Sequence, residues 1–285
     1  MRSVLRLAVC MATVTATATL ASCASANGPM QRALDPSMER VLAMDNYIRM
    51  VAGISGDAPR FVRGDGFVYL TDIAPSLAHF ARTGDSASYR RLRRYVETSV
   101  IERDATGAQP RRRVRGRTPF ERAAPYTVRR LGDALALGWQ QFGDTASAEL
   151  AASLRFSESA GDSGSVVDQL VERCSAAVSS AGTDPATARR ILAGAKSFRG
   201  GVSAGQASSL DLRGADGDLV ALACLTRLAL AAKDPDATVR FLDRMLDEMK
   251  PFLSGSRRPD PGAAAEVLLA LSEVRATGPG YFRLP

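Results

Sequence analysis

The sequence predicts an all-α fold of antiparallel helical hairpins stacked side by side. Three observations carry this. Apolar residues recur at three- and four-residue spacing through most of the chain. Helix stop-and-start signals separate these blocks: Gly84-Asp85, Gly143-Asp144, Gly182-Thr183-Asp184 and Asp234-Pro235-Asp236. Extended patterns are scarce, with only Phe67 to Tyr69 and the tail from Gly280 to Pro285 reading that way.

Residues 1–22 read as an export signal. Arg2 and Arg6 form a positive start, Leu7 to Leu20 is uncharged and apolar, and small residues follow. The apolar run is too short to span a bilayer as a stable helix. Residues 23–34 read as a flexible tether containing Gly28 and Pro29. Residues 35–285 read as a single helical-hairpin domain.

Asp35-Pro36 starts the first helix, with Asp as N-cap and Pro at the first helical position. Met38, Val41, Leu42, Ile48 and Val51 give it one apolar face, and Gly53 to Asp57 ends it. A hairpin follows. Its first arm, Phe67 to Arg82, starts near Asp72 with Pro75 inside the first turn. Its second arm carries Tyr89, Leu92, Val96 and Val100 on one face, with Arg90, Arg91, Arg93 and Arg94 off it. The next hairpin runs from Pro125 to Phe142 and returns from Ala146 to Phe156. Tyr126, Leu131, Leu135, Gly138, Trp139 and Phe142 recur at helical spacing, so Trp139 is expected to pack between helices. Further pairs run from Ser165 to Ser180 with Pro185 to Phe198, and from Asp218 to Ala232 with Ala237 to Phe252. Pro261 to Ala276 is the last helix.

Each hairpin leaves an apolar stripe that only a neighbour can bury. The units are about 35 residues long without a tight consensus, and the tetratricopeptide pattern is not in register. Stacking of such units gives either an α-solenoid or a closed ring.

Composition narrows the function classes. The formal charge is +7, and the export signal holds two of those positives, leaving 7 − 2 = +5. Only Lys196, Lys233 and Lys250 are lysines, so 37 − 3 = 34 basic residues are arginines. Codon usage in a GC-rich genome explains that bias. A polyanion-binding surface is the functional alternative, because the guanidinium fork binds phosphate and carboxylate in a bidentate way. The densest run is Arg111, Arg112, Arg113, Arg115 and Arg117, read as an exposed loop between two hairpins.

The order Leu20-Ala21-Ser22-Cys23 resembles the lipobox of bacterial lipoproteins. That resemblance implies cleavage before Cys23, a diacylglyceryl group on its sulfur and a third acyl chain on the new amine. Two or three acyl chains anchor durably where one does not. Ala24 stands where Asp would mark inner-membrane retention, so the resemblance points to the outer membrane, facing the periplasm. An ordinary signal peptide cut near Ala24 to Ala26 is the alternative. Beyond Cys10 and Cys23 only Cys174 and Cys224 remain. In an oxidising compartment they form one disulfide, or else serve as two buried small hydrophobes.

Two stretches, Thr71-Asp72-Ile73-Ala74 through Thr83-Gly84-Asp85 and Leu131-Gly132-Asp133-Ala134-Leu135 through Phe142-Gly143-Asp144, resemble the (α/α) toroids of six-hairpin glycosidases and polysaccharide lyases. The chain is short for six hairpins, so the resemblance implies an abbreviated toroid. It also raises a small glycoside hydrolase or polysaccharide lyase as an alternative function. The candidate carboxylates are Asp65, Asp72, Glu121 and Asp133, because glycoside cleavage needs a donor and a base or nucleophile about 5–9.5 Å apart. Each also has a structural reading: Asp72 as a cap, Asp65 as a turn residue, Asp133 as a surface acid. The 6% aromatic content and single tryptophan argue against a sugar-stacking trough.

Other chemistries close quickly. His79 is the only histidine, which removes a histidine metal site and a Ser-His-Asp triad, and its spacing places it on a polar helix side. No nucleotide-binding loop is present, and Gly132 and Gly138 inside a helix mark close packing. No cofactor or metal is expected. The expected role is binding or scaffolding in the cell envelope. The expected partners are the membrane through Cys23, anionic polysaccharide or lipid headgroups, and envelope proteins, with no nucleic acid among them.

Overall fold

The computed structural model describes residues 46–48, 54–55, 58–60, 63, 65–105, 107–116, 118–155, 166–181, 183–198, 215–253 and 260–277. Backbone packing divides the chain into Met1–Arg40 and Val41–Pro285, and every described residue belongs to the second unit. Cys23, the export signal, the tether and Arg117 lie outside the described residues.

The described chain is mostly helical. Two short strands, β1 (Ile54–Ser55) and β2 (Ala58–Pro59), pair antiparallel. Then β3 (Val68–Tyr69) leads directly into α1 (Leu70–Thr83). Gly84 ends α1 in the left-handed conformation at φ +76°, which glycine adopts without a Cβ clash. Asp85 starts α2 (Ser86–Tyr95) by accepting from the Ser88 N–H at 3.0 Å. A π-helical turn, Val96–Val100, continues α2. Tyr89, Leu92, Val96 and Val100 are all buried, as their spacing predicts.

The stretch after α2 is the main departure from an all-helical reading. β4 (Ile101–Asp104) and β5 (Gly107–Pro110) form a hairpin, and β6 (Arg113–Val114) pairs with β3. The arginine run is therefore strand-bound in part rather than a free loop. Next come α3 (Pro125–Phe142), α4 (Thr145–Ser153), α5 (Val166–Ser180), α6 (Pro185–Gly194), α7 (Ala215–Ala231), α8 (Pro235–Glu248), the single turn α9 (Lys250–Leu253) and α10 (Pro261–Thr277).

Five long helices pack in a closed sequence of neighbours. α1 lies on α3, α3 on α5, α5 on α7, α7 on α10, and α10 back on α1. The others pack as return arms: α2 on α1, α4 on α3, α6 on α5 and α8 on α7. Burial is deepest in α1, α7 and α10. Leu70 to Ala81 of α1 and Pro261 to Leu271 of α10 are buried without a break, as enclosed helices must be. α2 buries only Tyr89, Leu92 and Tyr95, the stripe of an outer amphipathic helix. A core cluster joins four of the long helices through Tyr126, Val167, Val171, Val220, Ala221 and Ala263.

Two sequence expectations fail here. His79 is 4% exposed, because α1 is covered on every side and has no polar face. Trp139 is 50% exposed instead of packed between helices. On this helix it is Gly138 and Phe142 that meet a neighbouring helix, through Tyr89. At Gly138 a Cβ would stand 1.9 Å from the Tyr89 hydroxyl, and the Tyr89 ring packs on Phe142 at 5.3 Å between centroids. Gly138 thus marks close packing, as read from the sequence.

Candidate functional site

Charged residues inside an enclosed helix must find partners, because an unpaired buried charge is costly. Arg130 of α3, Arg227 of α7 and Glu266 of α10 face this problem and solve it together. Arg130 Nε and Nη2 both donate to Glu266 Oε1, at 2.8 and 2.5 Å. Arg227 Nη1 stands 3.6 Å from Glu266 Oε2, and its other nitrogens hold Glu273 at 3.0 Å each. Arg82 of α1 reaches Glu273 at 3.2 Å, and Asp133 stands 4.0 Å from Arg130. The result is an alternating chain of three guanidinium groups and three carboxylates.

Arg82, Arg130, Asp133, Arg227 and Glu266 line a cavity of about 280 Å³. Each of the five long helices lends it a side chain: Arg82 from α1, Arg130 from α3, Ser175 from α5, Arg227 from α7 and Glu266 from α10. The cavity therefore lies where the closed sequence of helices converges. Burial pushes the Arg130 pKa down, and the Glu266 carboxylate more than offsets this, leaving it above the ordinary value. Arg227 follows the same logic, with Glu273 and Glu266 outweighing burial and the Arg130 charge. Burial, followed by the Glu266 charge, holds the Tyr126 phenol well above its usual pKa. The site is thus rich in fixed donors and acceptors.

Cys224 also lines this cavity, with Cys174 beside it. Both are buried and are free thiols in this structure. Packing of α5 on α7 brings them together, with a side-chain hydrogen bond between them.

The four candidate carboxylates do not share this cavity. Asp133 alone lines it, and is 51% exposed at its side chain. Asp72 is fully buried, accepts from Arg63 Nε and Nη2 at 2.8 and 2.9 Å, and accepts from the Gly262 N–H at 3.1 Å. It ties α1 to α10; the α1 N-cap position belongs to Tyr69 instead. Asp65 accepts from the Phe67 N–H and the Tyr69 hydroxyl, the turn role read from the sequence. Glu121 accepts from Arg112 at 2.5 Å and Arg113 at 2.8 Å. Asp65, Asp72 and Glu121 do gather around Tyr69, since Arg63 lies over its ring at 4.4 Å and Arg113 hydrogen-bonds it. Arginine side chains fill the space between these acids.

The arginine run is also largely spent on internal partners. Arg111 pairs with Glu102 at 3.0 Å, Arg112 and Arg113 share Glu121, and Arg115 donates to the Asp65 carbonyl at 3.1 Å. Arg113 and Arg115 also approach the Phe67 ring, at 4.5 and 5.7 Å.

Sequence reasoning missed Arg130, Arg227 and Glu266. For Arg227 and Glu266 the signal was present: each is an isolated charge inside an apolar helical stripe, and such residues are almost never buried unpaired, whereas Arg130 is masked by its neighbour Arg129. Among the described residues no cluster of three metal-ligating side chains occurs, and no helix is long and apolar enough to cross a membrane. No family model, curated protein or solved structure matches the chain.

Proposed function

We propose that this chain is a lipid-anchored protein of the cell envelope. Cys23 holds it to the outer membrane facing the periplasm, and its helical domain binds or scaffolds an envelope polymer or protein partner. The observation that supports binding is the cavity shared by five helices, with its charges neutralised pairwise. Such a site recognises a polar group through fixed donors and acceptors, and a partner enters without meeting an excess of either charge. The closed sequence of helix neighbours favours the abbreviated toroid over an open solenoid, in which the first and last helices would not touch.

A glycosidase or lyase draws on the same cavity, because Asp133 and Glu266 both line it. In that reading both Glu266 oxygens are already engaged, Oε1 by Arg130 and Oε2 by Arg227. Binding therefore has the better support.

Two variants test the proposal. Cys23→Ala should release the protein from membranes, and normal partitioning and maturation of that variant would refute the anchor. Ala136→Phe should fill the cavity without touching the ion pairs. It should abolish co-sedimentation with purified cell-wall polymer or pull-down of envelope proteins. Unchanged recovery of the wild-type partner would remove the cavity from the binding role.

A further inference from the structure

We propose that a second cavity, beside the β4–β5 hairpin and the start of α3, is an oxyanion site that takes a phosphate group. The cavity measures about 200 Å³. Arg122, Arg155 and Gln109 supply its polar lining, and residues such as Pro110 and Val128 the apolar part. No acidic residue lines it among the described residues. Neither guanidinium has a carboxylate partner there, in contrast to the arginines of the first cavity and of the 111–113 run.

Both arginines are exposed side chains that lie against the hairpin. Asp104 closes the turn by accepting from the Gly107 N–H at 3.1 Å and from Gln109 Nε2 at 2.8 Å. That leaves Gln109 Oε1 to accept from Arg122 Nη2 at 2.9 Å. Arg155 donates its backbone N–H to the Ala108 carbonyl at 3.0 Å, extending the bridge between Leu154 and Ala108. Its side chain then lies across Gly107. A Cβ there would stand 2.8 Å from Arg155 Nε, and φ of +136° also excludes other residues without strain. Glycine at 107 therefore lets the Arg155 side chain settle against the strand.

Two forks lining one cavity without a competing carboxylate match the oxygens of a phosphate, which accepts paired N–H bonds. The cavity is larger than one bare ion, so the phosphate arrives on a carrier that meets the apolar lining. The carrier is either a soluble phosphate ester or a lipid headgroup, and the two are separable by experiment. This site is independent of the cavity between the long helices.

The test uses the full chain. Binding of glycerol phosphate and inorganic phosphate is measured by calorimetry. Co-sedimentation is measured with phosphatidylglycerol and phosphatidylcholine vesicles. Arg122→Gln/Arg155→Gln should weaken phosphate binding about ten-fold or more, since hydrogen bonds to charged groups are the strong ones. Arg90→Gln/Arg91→Gln, the same charge loss on the exposed face of α2, should leave it within about two-fold. Arg155→Lys keeps the charge, loses the fork, and should weaken binding as well. Selective loss on glycerol phosphate identifies a soluble ester, and selective loss on phosphatidylglycerol vesicles identifies a headgroup. Equal losses in the two double variants would show bulk charge only and overturn the site. Absence of wild-type binding to every probe would overturn it too.

Discussion

Asp72 and Gly262 join the first and last long helices through one hydrogen bond. Asp72 Oδ1 accepts from the Gly262 N–H at 3.1 Å, and a Cβ on Gly262 would stand 2.3 Å from the Thr71 carbonyl oxygen. The carboxylate satisfies a backbone donor at the start of α10 that no intrahelical partner can reach. The missing side chain lets the helices approach closely enough for that bond. Asp72→Ala also leaves Arg63 without its bidentate partner, although Asp260 stays 3.3 Å away. The expected loss is about 3–5 kcal/mol in urea unfolding. Gly262→Ala should cost about 1–3 kcal/mol through forced separation of α1 and α10. A neutral effect of both would show that the helices close without this joint.

The Arg130–Glu266 pair gives a sharper test, because both side chains are nearly buried. Arg130→Met alone should destabilise by about 3–5 kcal/mol, leaving Glu266 with only the longer Arg227 contact. Arg130→Met/Glu266→Met should recover at least half of that loss, since Arg227 keeps Glu273. A double-mutant cycle by urea denaturation reads the coupling. Strictly additive losses would mean the pair does not act as a unit.

Much of the fold was legible because local chemistry and tertiary packing agree. Gly84 and Gly143 take left-handed backbones at φ +76° and +62°, and Asp85, Asp184 and Asp234 accept from the N–H groups of Ser88, Thr187 and Ala237. These are short-range signals that a single sequence carries. The β4–β5 hairpin is different: its stability comes from pairing with a segment whose own pattern shows no alternation. Trp139 was misplaced for a related reason, since spacing alone does not reveal that Tyr89 occupies the groove beside Gly138. At the site, Asp133 was found and its neighbours were not. Candidate acids were sought near the two toroid-like stretches, whereas Arg227 and Glu266 sit within apolar helices where only the assembled bundle shows their partners.

Tyr89 links α2 to α4 through a 2.8 Å hydrogen bond with Ser147. Burial raises its pKa from 10.0 to about 12, so the folded protein holds this proton more tightly than the unfolded chain. The sign follows: the contribution is complete below pH 10 and is lost as pH rises toward 12. At about 1.36 kcal/mol per pKa unit the effect is at most about 2–3 kcal/mol, and smaller where water reaches the hydroxyl. Tyr89→Phe should cost about 1 kcal/mol at pH 8 and flatten the alkaline fall between pH 10 and 12. Thermal melts across that range measure it, and parallel curves for the two proteins would exclude Tyr89 as the titrating group.

The thiols of Cys174 and Cys224 should be inert in the folded protein. Burial holds the Cys174 pKa well above its usual value, so little thiolate forms at neutral pH. Alkylation at pH 8 should leave both unlabelled in the native state. After denaturation without reductant, both should label, as two free cysteines must. No labelling at either position would instead reveal the disulfide expected from the sequence and an oxidising compartment.

The arginine run separates a binding role from a structural one within a few residues. Arg112 and Arg113 neutralise Glu121, whereas Arg115 is exposed and makes one bond to a backbone carbonyl. Arg112→Gln should therefore lower stability by at most about 1 kcal/mol, because the pair is partly solvated. Arg115→Gln should leave thermal stability unchanged. If the run meets an anionic polymer or lipid surface, each free guanidinium gains about 1 kcal/mol there, within a Debye length of roughly 8–10 Å. Arg115→Gln should then weaken binding to anionic vesicles at low salt, and the difference should shrink as salt rises. Replacing Arg111, Arg112, Arg113, Arg115 and Arg117 together by glutamine should combine both losses. If that five-fold variant binds anionic targets as tightly as the wild type at low salt, the run serves only to pair Glu102 and Glu121 and to cover Phe67.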